Sequence, residues 1–334
     1  MLGAGKASEA LKAVTSPPFT VKYPFVPSPP PISFRGAPEF DEDKCVGCGM
    51  CIEHCPSKAL EIKNLGEERE LIVHYDKCLQ CSHCNYQCKP IYGLKPTTRY
   101  SLIFTDKEEA KLSITKPTVV VKVNEDACIG CARCEYICKF KAAKVKKKEE
   151  RAERKWVSTI DPDKCKGCGA CAAACPAIII ETPLSSNENI LSEIRKTPFS
   201  SSGKPNILIL HCNWARMTPE ELANQVPSAN LKFVNITCSG RLSPIFVLEG
   251  FNRGYDAVMV LCCPEEECHF ERGVKIAKPL VNVIKMILSE IGISPERFEL
   301  VTASNVDPDK YRKAVLSMVD RLSNLKGGAK GHAA

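Results

Sequence analysis

The sequence predicts two tandem α+β units in its first half and an α/β domain with a small parallel sheet in its second. Three observations carry that expectation. Sixteen of the 21 cysteines fall into four copies of one pattern, C-x2-C-x2-C-x3-C, all before residue 180. From about residue 205, short apolar runs alternate with helix-like stretches, as a parallel sheet with crossover helices requires. Between the two regions lies a stretch with serines, prolines and little periodicity, which reads as a linker.

The elements follow in order. Residues 1–40 are an arm that holds Pro17, Pro18, Pro24, Pro27, Pro29, Pro30, Pro31 and Pro38, a third of the chain's 24 prolines. Proline fixes φ and donates no backbone hydrogen bond, so this segment should run extended over a surface. Its first 14 residues form either a short amphipathic helix with Leu2, Leu11 and Val14 or a frayed terminus. Residues 41–100 and 101–181 hold two cysteine runs each, because the runs start 33, 50 and 37 residues apart and so group in pairs. The linker spans 182–204. In the domain at 205–326, strands are expected at Ile207–Leu210, Leu231–Ile236, Ala257–Leu261 and Phe298–Thr302. Helices are expected at Pro219–Gln225, around Ile245–Arg253, and over Val274–Ile291 and Pro308–Leu325. Thr218 caps the first, with Pro219 at its opening position. Residues 327–334 are a tail.

The runs are Cys45, Cys48, Cys51, Cys55; Cys78, Cys81, Cys84, Cys88; Cys128, Cys131, Cys134, Cys138; and Cys165, Cys168, Cys171, Cys175. Three cysteines at i, i+3 and i+6 wrap a tight loop around one iron–sulfur cubane, and the fourth reaches the cluster of a paired run. Zinc sites instead use two separated cysteine pairs. Sequential pairing joins Cys45, Cys48 and Cys51 with Cys88, and Cys78, Cys81 and Cys84 with Cys55. In the second unit it joins Cys128, Cys131 and Cys134 with Cys175, and Cys165, Cys168 and Cys171 with Cys138. Nested pairing of runs one with four and two with three is the rival, since runs one and four share a Cys-Gly-x-Cys core and a following proline. Sequential pairing is the expectation, and four [4Fe-4S] clusters follow from either.

This half resembles bacterial-type 2[4Fe-4S] ferredoxins, which implies a ferredoxin-like fold with strands at Ala59–Ile62 and Leu71–Tyr75 between the first two runs. Val21-Lys22-Tyr23-Pro24-Phe25, then Phe34-Arg35-Gly36-Ala37-Pro38-Glu39-Phe40 ahead of Cys45, is similar to the eight-iron subunit of respiratory complex I and of energy-converting hydrogenases. That likeness covers about residues 18–90. It implies electron transfer beside a membrane module. Lys89 in place of a proline after Cys88 departs from the pattern.

Five cysteines remain. On the expected strands Cys212, Cys238, Cys262 and Cys263 follow strand ends, and Cys268 lies in the next loop. All gather where open α/β sheets place their sites. A single such cysteine is usually a small buried hydrophobe, but five on one edge suggest ligands. His211-Cys212-Asn213-Trp214, Cys238-Ser239-Gly240-Arg241, Phe246-Val247-Leu248-Glu249 and the Cys263 to Cys268-His269-Phe270 stretch resemble the delta subunit of methyl-viologen-reducing hydrogenase. That resemblance implies a [2Fe-2S] cluster on Cys212, Cys238, Cys263 and Cys268. It also implies electron exchange between a hydrogenase or formate dehydrogenase and the flavin subunit of heterodisulfide reductase. His211 and Ala215 stand where the family often has cysteines. His211 reads as a packed strand-end residue and Cys262 as a core residue.

Composition narrows the function further. No apolar run reaches the ~18 residues that span a bilayer, and no secretory leader opens the chain. Intracellular thiols stay reduced, so cysteines at this density point to metal rather than disulfides. The formal charge is +7. Five clusters at roughly −2 each would bring it to about −3, so nucleic-acid binding is not expected. The basic stretch Lys139–Lys155 is either a solvated loop or a dock for an acidic partner. No Walker loop, dinucleotide fingerprint or catalytic constellation is present, so catalytic residues are none. The expected function is a cytoplasmic electron-relay subunit of an anaerobic oxidoreductase. Its partners would be hydrogenase-like or complex-I-like subunits and a heterodisulfide-reductase-like flavoprotein, with peripheral membrane contact at the inner face through them. The alternatives are a reductase acting on a small substrate at an exposed cluster and a zinc or nucleic-acid module.

Overall fold

The computed structural model describes residues 4–17, 25–26, 28–31, 33–89, 91–100, 102–148, 156–196, 203–215, 217–304, 307 and 309–328. Residues 21–24 of the Val21–Phe25 word, the basic loop from 149 to 155 and the tail beyond 328 lie outside them. Among the described residues no helix is long and apolar enough to cross a membrane.

Each cysteine run folds the same way. The residues two and four positions after its first cysteine take left-handed backbone, at Gly47 and Gly49, Gln80 and Ser82, Gly130 and Ala132, and Gly167 and Gly169. A helix of four to six residues follows, at Met50–Glu53, His83–Cys88, Arg133–Ile137 and Ala170–Ala174. Glycine supplies five of the eight left-handed positions because it has no Cβ to clash there. Run two has none, yet takes the same path.

Two antiparallel pairs frame each couple of runs. In the first, Pro38–Phe40 pairs with Leu94–Pro96, and Leu60–Asn64 forms a hairpin with Glu68–His74. In the second, Lys122–Val123 pairs with Ile180–Glu181, and Ala143–Lys147 with Trp156–Ile160. The strand Lys111–Pro117, assigned by sequence to the second unit, instead extends the first unit's hairpin by pairing with Glu68–His74. It covers an open edge, with Ile114 buried against the sheet.

The C-terminal region is a four-stranded parallel sheet. Its strands are Asn206–His211, Asn230–Asn235, Ala257–Cys262 and Phe298–Thr302. The first lies between the second and third, so the sheet has a switch point between strands one and three. Helices Pro219–Gln225 and Lys310–Gly328 cover one face, with Leu222, Val315 and Met318 buried. Pro244–Asn252 and Gly273–Glu290 cover the other, with Phe246, Val247 and Ile284 buried.

The segment read as a linker departs from expectation, because Asn187–Arg195 is a helix on this second face. Ser186 caps it by accepting from Asn189 N–H, and Ile190 and Ile194, one turn apart, are fully buried. Two apolar residues are enough to anchor it, too few to register as a periodic pattern. At the N-terminus the amphipathic helix forms over Ala4–Thr15, with Leu11 and Val14 exposed.

Candidate metal centres

Four cavities, each ringed by four cysteines, organise the first 180 residues. One of 380 Å³ is lined by Cys45, Cys48, Cys51 and Cys88. One of 450 Å³ is lined by Cys55, Cys78, Cys81 and Cys84. In the second unit, Cys128, Cys131, Cys134 and Cys175 line 320 Å³, and Cys138, Cys165, Cys168 and Cys171 line 350 Å³. Every cavity takes three thiols from one run and the fourth from its sequential partner. No three His, Cys, Asp or Glu side chains among the described residues converge on a point that would hold a single ion.

Sulfur chemistry fits these cavities to clusters. The left-handed turns aim backbone N–H groups inward, as at Gln80 N to Cys78 Sγ, 3.4 Å. The residue after each short turn does the same for the fourth cysteine: Ala59 N and Ala142 N each lie 3.3 Å from Cys55 and Cys138 Sγ. Burial pushes the thiols of Cys48 and Cys168 up to about 12, and those of Cys51 and Cys171 well above the usual range. Burial alone disfavours thiolate in these cavities, so a cluster held on these sulfurs would displace their protons.

Three buried cations surround the two middle cavities; Lys166 lies inside run four and Arg241 ends the Cys238-Ser239-Gly240-Arg241 word, while Arg69 stands outside any motif. Arg69, 1% exposed, bonds to the carbonyls of Gly47 (3.0 Å) and Pro162 (3.1 Å) and to Asn64 Oδ1. It thus ties run one to run four without a carboxylate hydrogen-bonded to it among the described residues. Lys166, 3% exposed, reaches Glu53 at 2.6 Å. Arg241 packs over Phe246 and donates to Asn187 Oδ1 at 2.5 Å, and its Nε finds no acceptor among the described residues. Burial pulls its pKa down to about 10, and Cys171 pushes it back up. Buried guanidinium groups facing carbonyls and amides suit a neighbouring anionic centre.

The fifth thiol group sits at the carboxyl ends of strands one and three, at the switch point. Cys212, Cys238, Cys263 and Cys268 are all buried there. Cys263 contacts both Cys212 and Cys268; the Cys212 contact, then burial, holds its thiol up at about 12 against the opposing pull of Cys268. The thiol of Cys268 is raised first by Cys263 and then by burial, while the Val274 and Gly273 N–H groups oppose that. Gly273 opens the long helix, and a Cβ there would strike Cys238 Sγ and stand 3.4 Å from Cys268 Sγ. The missing side chain leaves the cradle that a cluster on these thiols needs. Cys262 is fully buried with Sγ 3.5 Å from the Val301 carbonyl, and His211 packs edge-on against Phe233.

The core around this group packs against Cys48 of run one and Cys168 of run four. Cys238 is raised by burial and then by Cys168 of run four. On the other side Trp214 and His269 wall the run-one cavity. His269 Nδ1 donates to the Gln87 carbonyl (3.0 Å), and its Nε2 lies 3.5 Å from Cys48 Sγ. Trp214 and His269 both stand within the cysteine motifs, yet nothing local in those motifs reveals that the pair bridges two cysteine groups.

Comparison with known proteins agrees with this layout. The 4Fe-4S binding domain matches residues 38–61 and the 4Fe-4S dicluster domain residues 127–179. The family described as methyl-viologen-reducing hydrogenase, delta subunit, matches 207–326. The D-type iron-sulfur subunit of the F420-non-reducing hydrogenase of Archaeoglobus profundus is 30% identical over 119 residues, which are 35% of this chain and 87% of that protein. The chain belongs to the methyl-viologen-reducing hydrogenase delta-subunit family. A second relative, the D-type vhu iron-sulfur subunit of the F420-non-reducing hydrogenase of Methanococcus maripaludis, is 36% identical over 97 residues, 29% of this chain and 72% of that one.

Delta-subunit similarity is joined by a different likeness. The A-type subunit of the ferredoxin:CoB-CoM heterodisulfide reductase of Methanosarcina mazei is 31% identical over 198 residues, 50% of this chain. The chain spans a quarter, 25%, of that relative's length. A chain of the membrane-bound sulfane sulfur reductase, an archaeal respiratory membrane complex, matches 31% of this chain and 57% of its own length at 30% identity, with a TM-score of 0.26.

Proposed function

We propose that the chain is an iron–sulfur electron-transfer subunit that relays electrons between a hydrogenase-like or complex-I-like module and a heterodisulfide-reductase-like flavoprotein. One observation carries the reading: four thiol-ringed cavities lie two by two in tandem units, and Cys48 and Cys168 of the middle two pack against the core that holds the fifth thiol group. The grouping of cysteines around the cavities supports sequential pairing, with sixteen ligands for four [4Fe-4S] clusters. Cys212, Cys238, Cys263 and Cys268 are the proposed ligands of a [2Fe-2S] cluster. Bound there, such clusters supply one-electron carriers whose potentials depend on hydrogen bonds, burial and nearby charge.

The chain's own residues do the rest. The left-handed turns point N–H donors at the sulfurs, and the apolar walls keep water out. Arg69, Lys166 and Arg241 offset negative charge at the middle sites, where burial makes charge most costly. Outer sites differ: Cys81 and Cys131 are exposed, so the two end cavities are where partners come within reach. The chain works in the cytoplasm and meets the inner face of the membrane only through its partners.

Iron and acid-labile sulfide, counted on anaerobically purified protein alongside EPR of the reduced sample, test this. About 18 iron atoms per chain with a slow-relaxing [2Fe-2S] signal is the expected result. About 16 without that signal would make the C-terminal region a docking module only. A colourless, iron-free protein would overturn the reading.

A further inference from the structure

We infer that the face around Cys131 docks a small acidic electron-transfer protein, an inference that rests on the relay reading above. At this end of the chain the thiol cavity opens to solvent through Cys131 and is rimmed by apolar side chains that no described residue covers. Ile129, Trp156 and Ile178 are 56%, 54% and 53% exposed. All three flank the same cavity. Ile129 lines the cavity with Cys131, and Ala177 and Ile179, on either side of Ile178, line it too. Trp156 packs over the same loop, since a Cβ on Gly130 would meet its carbonyl at 2.8 Å and its Cβ at 2.9 Å.

A basic hairpin flanks this rim. Val145 and Ser158 of the pair Ala143–Lys147 and Trp156–Ile160 line the cavity itself. Side chains alternate along a strand, so Lys147 and its cross-strand neighbour Trp156 share the cavity face, and Lys144 and Lys146 point to the other. From Cys128 to Lys148 there are seven basic residues and a single acid, Glu135. Glu135 is occupied by the Val145 N–H at 2.8 Å, and Lys148 is paired with Glu125. Arg133, Lys141, Lys144, Lys146 and Lys147 form no ion pair among the described residues.

An exposed apolar centre with Lys147 beside it, on a hairpin whose other face carries Lys144 and Lys146, fits a partner with an acidic rim. The centre excludes water where electrons cross, and the summed positive field of the hairpin's two faces steers the encounter. A redox protein is favoured over an anionic membrane because the patch is centred on a thiol-lined cavity rather than on an amphipathic helix.

The test uses the full chain, purified anaerobically, with an acidic bacterial-type ferredoxin as probe and stopped-flow and calorimetric readouts across rising salt. Reversing K144E, K146E and K147E together should slow association roughly 10-fold or more and flatten its salt dependence. Trp156→Ala should instead speed dissociation, and K107E, an exposed control on the first unit, should change neither. Unchanged association and salt slope in the triple variant would overturn the proposal. So would binding of the wild type to vesicles rich in anionic lipid but not to the ferredoxin. Iron content of the same samples reports on the relay reading separately, since a wild type without iron fails that reading whatever binds.

Discussion

The indole of Trp214 lies flat on the imidazole of His269, with ring centroids 3.5 Å apart and planes 9° from parallel. Phe270 meets both rings edge-on. This stack joins the parallel sheet to the first cysteine cavity, because His269 contacts Cys48 and the Gln87 carbonyl while Trp214 is 2% exposed in the sheet-end core. Trp214→Ala should therefore cost about 3–5 kcal/mol of stability, as expected for deletion of a buried indole. Trp214→Phe should cost far less, since Nε1 of the indole has no hydrogen-bond partner among the described residues. Thermal melts of both variants beside wild type check this, and equal losses would mean the ring does not fill the junction.

Gly273 offers a selective probe of the C-terminal thiols. Its backbone is not in the left-handed region, so alanine is allowed there conformationally. The new methyl group would nonetheless collide with Cys238 Sγ and crowd Cys268 Sγ. Gly273→Ala should lower iron by about two atoms per chain and remove the [2Fe-2S] signal while the ferredoxin-type signals persist. Loss of all signals together would point to a folding defect, and no loss would show that these sulfurs do not share a cluster.

The cross-over of the fourth cysteine can be read by paired variants. Cys88 lines the cavity of Cys45, Cys48 and Cys51, although it lies in the second run. Cys88→Ala and Cys45→Ala should then perturb the same EPR component, and Cys55→Ala should match Cys78→Ala. Were Cys88→Ala to match Cys78→Ala instead, each run would serve its own site, and the arrangement of the cavities would be misleading about ligation.

Much of this was legible because spacing is local chemistry. The four runs, the alternation of strands and helices after residue 205 and the gathering of cysteines on one sheet edge all follow from short-range pattern. What escaped the sequence is long-range. Lys111–Pro117 joins the first hairpin because an open strand edge needs a partner, a demand set by Glu68–His74 far upstream. Arg69 looks like an ordinary strand arginine until Gly47 and Cys165 close around it. The helix Asn187–Arg195 hides in a stretch of serine and proline because only Ile190 and Ile194 need to be apolar to dock it.

Glu249 is what ties that short helix down. Its carboxylate accepts from Arg195 Nε at 2.8 Å and from Arg253 Nε at 3.0 Å, so it joins Asn187–Arg195 to Pro244–Asn252. The two arginines, Arg195 first, hold its pKa below the ordinary value of 4.5. A carboxylate with a depressed folded-state pKa binds fewer protons folded than unfolded near that value. Its contribution is therefore complete above about pH 4.5 and is lost as pH falls through the lower folded value. Both arginines are nearly half exposed, which limits the contribution to about 1 kcal/mol. Glu249→Gln should melt lower than wild type at pH 7, and the gap should close when both are compared under more acid conditions. High salt at pH 7 should shrink it as well. A gap that stays constant with pH and salt would mean that Glu249 acts through packing rather than through its charge.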